Sequence, residues 1–265
     1  MRTAGVASKA SPMATITADP NVLTVPGLLG TDEARIDGRD KVSGQTKYTA
    51  DYAQEGMLWS AFVTSPYPHA RIVGIDTAAA LAMEGVHAVI TGADIGERYF
   101  GAMLRDWPIL AYERVKFVGE YVAVVAAESR AIAEAAAAAI DVRYEELPAL
   151  FDTEASIADD APPFHADDEK FEYNGPQRPF RPHRNMHGFD KVHKGDPDAA
   201  FARATRTFEH TFQTPRYHAG YLEPRATLVW IDENGAYRVM CTNKNPFALR
   251  DNLARTLGLP KDKVV

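Results

Sequence analysis

Thr242-Asn243-Lys244-Asn245 lies between an apolar run, Ala236 to Cys241, and a proline-led amphipathic stretch that begins at Pro246. That spacing predicts a loop running from a strand into a helix N-terminus, where backbone N–H groups converge and anionic ligands are favoured. Lys244 adds a full positive charge and three donors to such a loop. Thr242, Asn243 and Lys244 are therefore the candidate ligand-binding residues, and an exposed loop lysine is the plain alternative.

Other polar residues carry weaker signals. His183, His187 and His193 fall in a proline-rich stretch without an accompanying Cys or carboxylate motif, so surface histidines are the simpler reading than a metal site. His218, Tyr221 and Glu223 cluster just before a strand, where Glu223 suits a structural, hydrogen-bonded carboxylate better than a general base. Cys241 at a strand end reads as a small apolar residue. Glu145 and Glu146 are strand neighbours and point to opposite faces, which separates them as an acid pair. These residues assign no catalytic group and no metal ligand.

The elements that position these residues are readable from hydrophobic pattern. Tyr121 to Ala127 is a continuous apolar run, as expected of a strand covered on both faces. Ser129 is a good N-cap for an alanine-rich helix over 131–140, and Val142 to Leu147 resumes a strand. Strand and helix signals alternate from Arg35 to Phe151, which predicts an α/β domain. Residues 1–34 read as a flexible tail and 152–190 as an extended connector rich in Asp, Pro and Ala. A second unit over 191–265 contains an Asp196-capped helix, a strand over Thr207–Phe212, a hairpin through Asp232–Gly235 and the Pro246 helix. Phe247, Leu249, Leu253 and Leu257 are expected on one face of that last helix. One hairpin and two helices are a thin core, so this second unit is expected to be incomplete.

Composition excludes several classes. A formal net charge of −7 with no basic block argues against nucleic acid or an anionic membrane surface as partner. A single cysteine excludes a disulfide framework or an iron–sulfur cluster held by this chain alone. No apolar run approaches the ~20 residues of a membrane span, and the start has no secretory-signal core, which points to the cytoplasm.

Several landmarks in order resemble one family. They are Arg35-Ile-Asp-Gly-Arg-Asp-Lys-Val-Ser-Gly44, Lys47-Tyr-Thr-Ala-Asp51, Ser65-Pro-Tyr-Pro-His-Ala-Arg-Ile72, Gly85-Val-His-Ala-Val-Ile-Thr-Gly-Ala-Asp94, Val118-Gly-Glu-Tyr-Val-Ala-Val-Val125 and Val142-Arg-Tyr-Glu-Glu-Leu-Pro148. Together they resemble the molybdenum-binding large subunit of the xanthine dehydrogenase and aldehyde oxidase family. Residues 35–151 resemble its a/b hammerhead domain. Residues 191–265, with Leu222-Glu-Pro224 and Asn245-Pro-Phe-Ala-Leu-Arg250, resemble the first part of its mixed α/β molybdopterin-binding domain.

The resemblance implies a molybdenum hydroxylase that inserts water-derived oxygen into an N-heterocycle or an aldehyde. It implies molybdopterin shared with a second polypeptide, and [2Fe–2S] clusters and FAD on partner subunits. It also places Thr242, Asn243 and Lys244 beside the cofactor. Family members usually carry glutamine where this chain has Lys244, and the family's glycine-rich loop and catalytic glutamate lie beyond Val265. An assembly module that keeps the hammerhead fold without catalysis is the alternative.

Overall fold

The computed structural model describes residues 34–165, 170–175 and 180–265. All but the last residue of the expected 1–34 tail, and residues 166–169 and 176–179 of the connector, lie outside the described residues. The chain divides into two units, residues 1–47 and 48–265.

In the first unit, the turn-rich stretch around Asp37 forms a short helix, α1 (Gly38–Ser43), closed by Gly44 at a φ of 72°. The pattern predicts only turns here. Backbone bonds from Gln45 and Thr46 to the Asp40 carbonyl satisfy its end.

The second unit begins with strands β1 (Trp59–Thr64) and β2 (Ala70–Asp76), helix α2 (Ala78–Leu81), strand β3 (Val86–Thr91) and helix α3 (Gly92–Ile95). Short strands β4 (Tyr99–Phe100), β5 (Trp107–Pro108) and β6 (Arg114–Val115) follow. Next come β7 (Tyr121–Ala127), α4 (Arg130–Ala138) and β8 (Asp141–Glu146). β7 is the central strand of an antiparallel sheet ordered β1-β7-β3, and a second antiparallel sheet is ordered β6-β2-β8.

The alternation along β7 explains how both faces are covered. Ala123, Val125 and Ala127 are fully buried against Ala133 and Ala136 of α4. Val122 points the other way and packs with Ala70 and Val115 of the second sheet. Burying each of these valines is worth roughly 1.5 kcal/mol or more. Alanine on α4 lets the helix lie close to the sheet, and Ser129 Oγ caps it by accepting the Ile132 N–H at 3.2 Å. The strand–helix–strand of β7, α4 and β8 does not form one parallel sheet. α4 carries the chain from the first sheet to the second, where β8 pairs with β2.

The connector is less featureless than its composition suggests. Helix α5 (Thr153–Ser156) is capped by Asp152, and Tyr173 forms a bridge with Leu104. Beyond it are α6 (Pro197–Arg203), β9 (Thr227–Ile231), β10 (Tyr237–Cys241) and α7 (Pro246–Leu257). Asp196 and Asn245 cap their helices by accepting the Ala199 and Ala248 N–H groups. Leu249, Leu253 and Leu257 face the β9–β10 hairpin, while Phe247 points outward and is 71% exposed. Two positions along a helix are about 200° apart, which takes Phe247 off the face of Leu249.

Thr207–Phe212 forms no strand. Its alternation is real, but a strand needs a hydrogen-bonded neighbour, and no described strand pairs with it. Phe208 and Phe212 remain 79% and 87% exposed.

Asp232 fixes the hairpin turn. One of its oxygens accepts the N–H groups of Asn234 and Ala236, each at 2.9 Å, and the other accepts from Arg238 Nε at 2.8 Å. The Ala236 amide and then the Arg238 guanidinium hold its carboxyl below 3.8. A lowered folded-state pKa contributes stability above the unfolded value, and that stability is lost as pH falls through the folded value. Exchange protection of the Ala236 amide should therefore hold steady from neutrality into weak acid and decline only as the pH falls through the lowered folded value. Protection that falls between pH 7 and 5 would contradict this.

Candidate functional site

The loop 242–245 joins β10 to the N-terminus of α7. Its backbone is set by its own side chains. Thr242 Oγ1 donates to Glu223 Oε1 at 3.2 Å, and Asn243 Oδ1 accepts the Asn245 N–H at 2.6 Å. Asn245 then caps the helix, so the Ala248 N–H is satisfied. Pro246 at the first helical position has no N–H to satisfy, and Phe247 contributes an amide with no partner inside the helix.

Lys244 is exposed and makes no ion pair or hydrogen bond among the described residues. Thr242, Asn243 and Lys244 are thus brought together, with different roles: the first two shape the turn, and the third presents a free charge.

The other sequence candidates have local partners. Gly220 N–H donates to His218 Nδ1 at 3.0 Å, and the His218 ring lies 5.0 Å from that of Tyr221. Asn185 N–H donates to His183 Nδ1 at 3.1 Å. No three His, Cys, Asp or Glu side chains converge as a metal site among the described residues. Glu145 pairs with Arg71 across the β2–β8 ladder. Cys241 faces the apolar groove between the hairpin and α7.

Two polar features lie outside the sequence candidates. Arg105, only 6% exposed, donates its backbone N–H to the Glu172 carbonyl at 2.9 Å, and its Nε lies 3.5 Å from Glu172 Oε2. Its Nη2 reaches Asn252 on α7 at 3.4 Å, and Glu172 also pairs with Arg255 of α7. This buried arginine ties the loop before β5, the connector and α7 together. The second feature gathers Asp106, Lys116, Glu120 and His165 around an aromatic hollow. Only the irregular, Trp107-centred composition of residues 97–112 marks it in the sequence.

Comparison with known proteins agrees with the fold. A family model described as aldehyde oxidase and xanthine dehydrogenase, a/b hammerhead domain, matches residues 43–148. A model of the molybdopterin cofactor-binding domain matches residues 178–265. The chain belongs to the xanthine dehydrogenase and aldehyde oxidase family and corresponds to the N-terminal part of its molybdopterin-binding large subunit.

Among its relatives, the nicotinate dehydrogenase large molybdopterin subunit of Eubacterium barkeri is 34% identical over 238 residues, covering 89% of this chain and 52% of that one. The carbon monoxide dehydrogenase large chain of Hydrogenophaga pseudoflava is 31% identical over 252 residues, 93% of this chain and 31% of that one. In structure, reconstituted CO dehydrogenase from Oligotropha carboxidovorans matches with a TM-score of 0.78 at 30% identity, over 89% of this chain and 30% of that one. The aldehyde oxidoreductase from Desulfovibrio gigas matches with a TM-score of 0.73 at 31% identity, over 87% of this chain and 25% of that one. The chain spans about half the length of the first relative and under a third of the others.

The donor set at 242–247 fits an anionic molybdopterin in kind. It offers an unpaired ammonium and a free first-turn amide at the positive end of a 12-residue helix. Thr242 and Asn243 offer little more, because their side chains are already used in the turn.

Proposed function

We propose that this chain forms part of the catalytic subunit of a molybdenum hydroxylase. The reaction is oxidative hydroxylation of an N-heterocycle or an aldehyde, with water as the oxygen source. Lys244 holds the molybdopterin cofactor, and Thr242 and Asn243 hold the loop that aims it. When bound, the cofactor supplies the two-electron oxidation, and the chain orients and shields it. Electrons leave through [2Fe–2S] and FAD groups on partner subunits, in the cytoplasm.

The domain division in this reading is a hammerhead over 35–151, a connector over 152–190 and the first part of the molybdopterin-binding domain over 191–265. The observation that carries the reading is the free Lys244 charge at the N-terminus of α7, on a unit whose apolar surface is open. Leu222 and Tyr217, at 99% and 85% exposure, join Phe208 and Phe212 on one extended stretch. Large apolar side chains left exposed along one stretch are candidates for contact with a partner. A second polypeptide of the same subunit covers it and supplies the remaining active-site groups.

The test is to purify the chain alone and together with the product of the adjacent gene, and to measure molybdenum in each by mass spectrometry. Metal is expected in the co-purified complex and not in the chain alone. No metal in either preparation would end the enzymatic reading. Lysine in place of the usual glutamine favours a second reading, an assembly module without catalysis, and a stable metal-free complex with the same partner would support it.

A further inference from the structure

The hollow beside β5 has a volume of about 310 Å³ and is independent of the 242–245 loop. Its walls are aromatic and braced. Trp107 stacks on Phe100 with ring centroids 5.9 Å apart and meets Phe117 edge-on at 5.7 Å. Phe164 packs edge-on against His165 at 4.8 Å. Bracing of this kind keeps a flat slot open, since each ring is held by another.

The polar groups at the rim are committed, with one exception. Asp106 Oδ2 pairs with His165 Nε2 at 2.9 Å. Glu120, 3% exposed, accepts the Lys116 backbone N–H at 2.5 Å, which fixes the turn into β7. The Lys116 ammonium has neither a hydrogen bond nor an ion pair among the described residues, and its nitrogen lies 5.5 Å above the centre of the Phe164 ring. Burial pushes its pKa down, against the opposing pull of the nearby Glu120 and Asp106 carboxylates, neither of which it hydrogen-bonds. The unanswered group of the hollow is therefore one ammonium donor without a hydrogen-bond acceptor, at the edge of an aromatic slot.

The flanking carboxylates narrow the choice. Asp106 and Glu120 both line the hollow, so a dianion such as a phosphate monoester meets repulsion that a single carboxylate answered by Lys116 largely escapes. The volume is at the lower end for ligand sites, about 300 Å³, and suits one or two rings. We propose that this hollow binds a small planar aromatic monocarboxylate, with its ring against Trp107 and Phe117 and its carboxylate on the Lys116 ammonium.

Benzoate is the probe, titrated calorimetrically into the full chain alongside benzamide and phthalate. Saturable one-site binding of benzoate is expected, at least tenfold tighter than benzamide or phthalate. Lys116→Met should weaken it by at least tenfold, and Trp107→Leu should weaken benzoate without restoring benzamide. The proposal is overturned if benzoate does not saturate, if benzamide binds as well, or if Lys116→Met binds benzoate like the parent. Should Lys116→Met fail to fold, the comparison of benzoate with benzamide on the unaltered chain decides alone.

Discussion

Replacing Gly92 with valine should destabilise the protein by about 3 kcal/mol or more, at the upper end of overpacking costs. A Cβ at Gly92 would stand 2.2 Å from the Ala111 carbonyl oxygen, 2.8 Å from its carbon and 2.9 Å from the Tyr112 Cα. All three are backbone atoms, so no rotamer change relieves the clash. Ala111 cannot yield easily either. It is 1% exposed, and its N–H donates to the Tyr121 carbonyl at 2.7 Å, at the start of the central strand.

Gly96 provides the control. It has a φ of 72° and a ψ of −162°, a region essentially reserved for glycine, and a Cβ added there would meet nothing within 4 Å, so Gly96→Ala carries only a backbone cost of about 1–3 kcal/mol. Chemical denaturation of both variants checks the ordering. A Gly92→Val protein as stable as Gly96→Ala would mean that the β7 region is more compliant than its packing suggests.

What could be read in the sequence was mostly local. Ser129 and Asp196 announce their helices because an N-cap acts within three residues of itself. The run over 121–127 announces a strand buried on both faces because its side chains are apolar at every position. Pairing is not local, and there the pattern gives out. Nothing in Asp141–Glu146 indicates that β8 leaves the sheet of β7 for that of β2. The alternation in Thr207–Phe212 marks a strand-competent segment without showing whether a neighbour exists.

The two polar sites divide in the same way. Thr242 to Asn245 are contiguous, so a strand–loop–helix pattern is enough to find them. Asp106, Lys116, Glu120 and His165 are brought together by the turn before β7 and by the connector folding back across it. No spacing rule joins positions as distant as 106 and 165. Only the density of aromatic and charged residues in an irregular stretch marks the first of them.

Reversing the charge at Lys244 should have the largest effect on cofactor retention. In the complex with the proposed second polypeptide, Lys244→Glu should weaken cofactor binding at least tenfold, read as a loss of molybdenum content. Two losses combine. A charged donor–acceptor contact is worth about 1.5–3 kcal/mol, and an anion at a helix N-terminus gains about 0.3–1 kcal/mol from the dipole, which a glutamate there would take for itself. Every 1.4 kcal/mol corresponds to a factor of ten, so even the lower bound of the combined loss exceeds tenfold. Lys244→Gln separates charge from hydrogen bonding, because the amide still donates. It should retain most of the metal. Folding is not at risk in either variant, since Lys244 is exposed and pairs with none of the described residues. A Lys244→Glu complex that keeps its full molybdenum content would remove this residue from the cofactor site and leave Thr242 and Asn243 as parts of a structural turn.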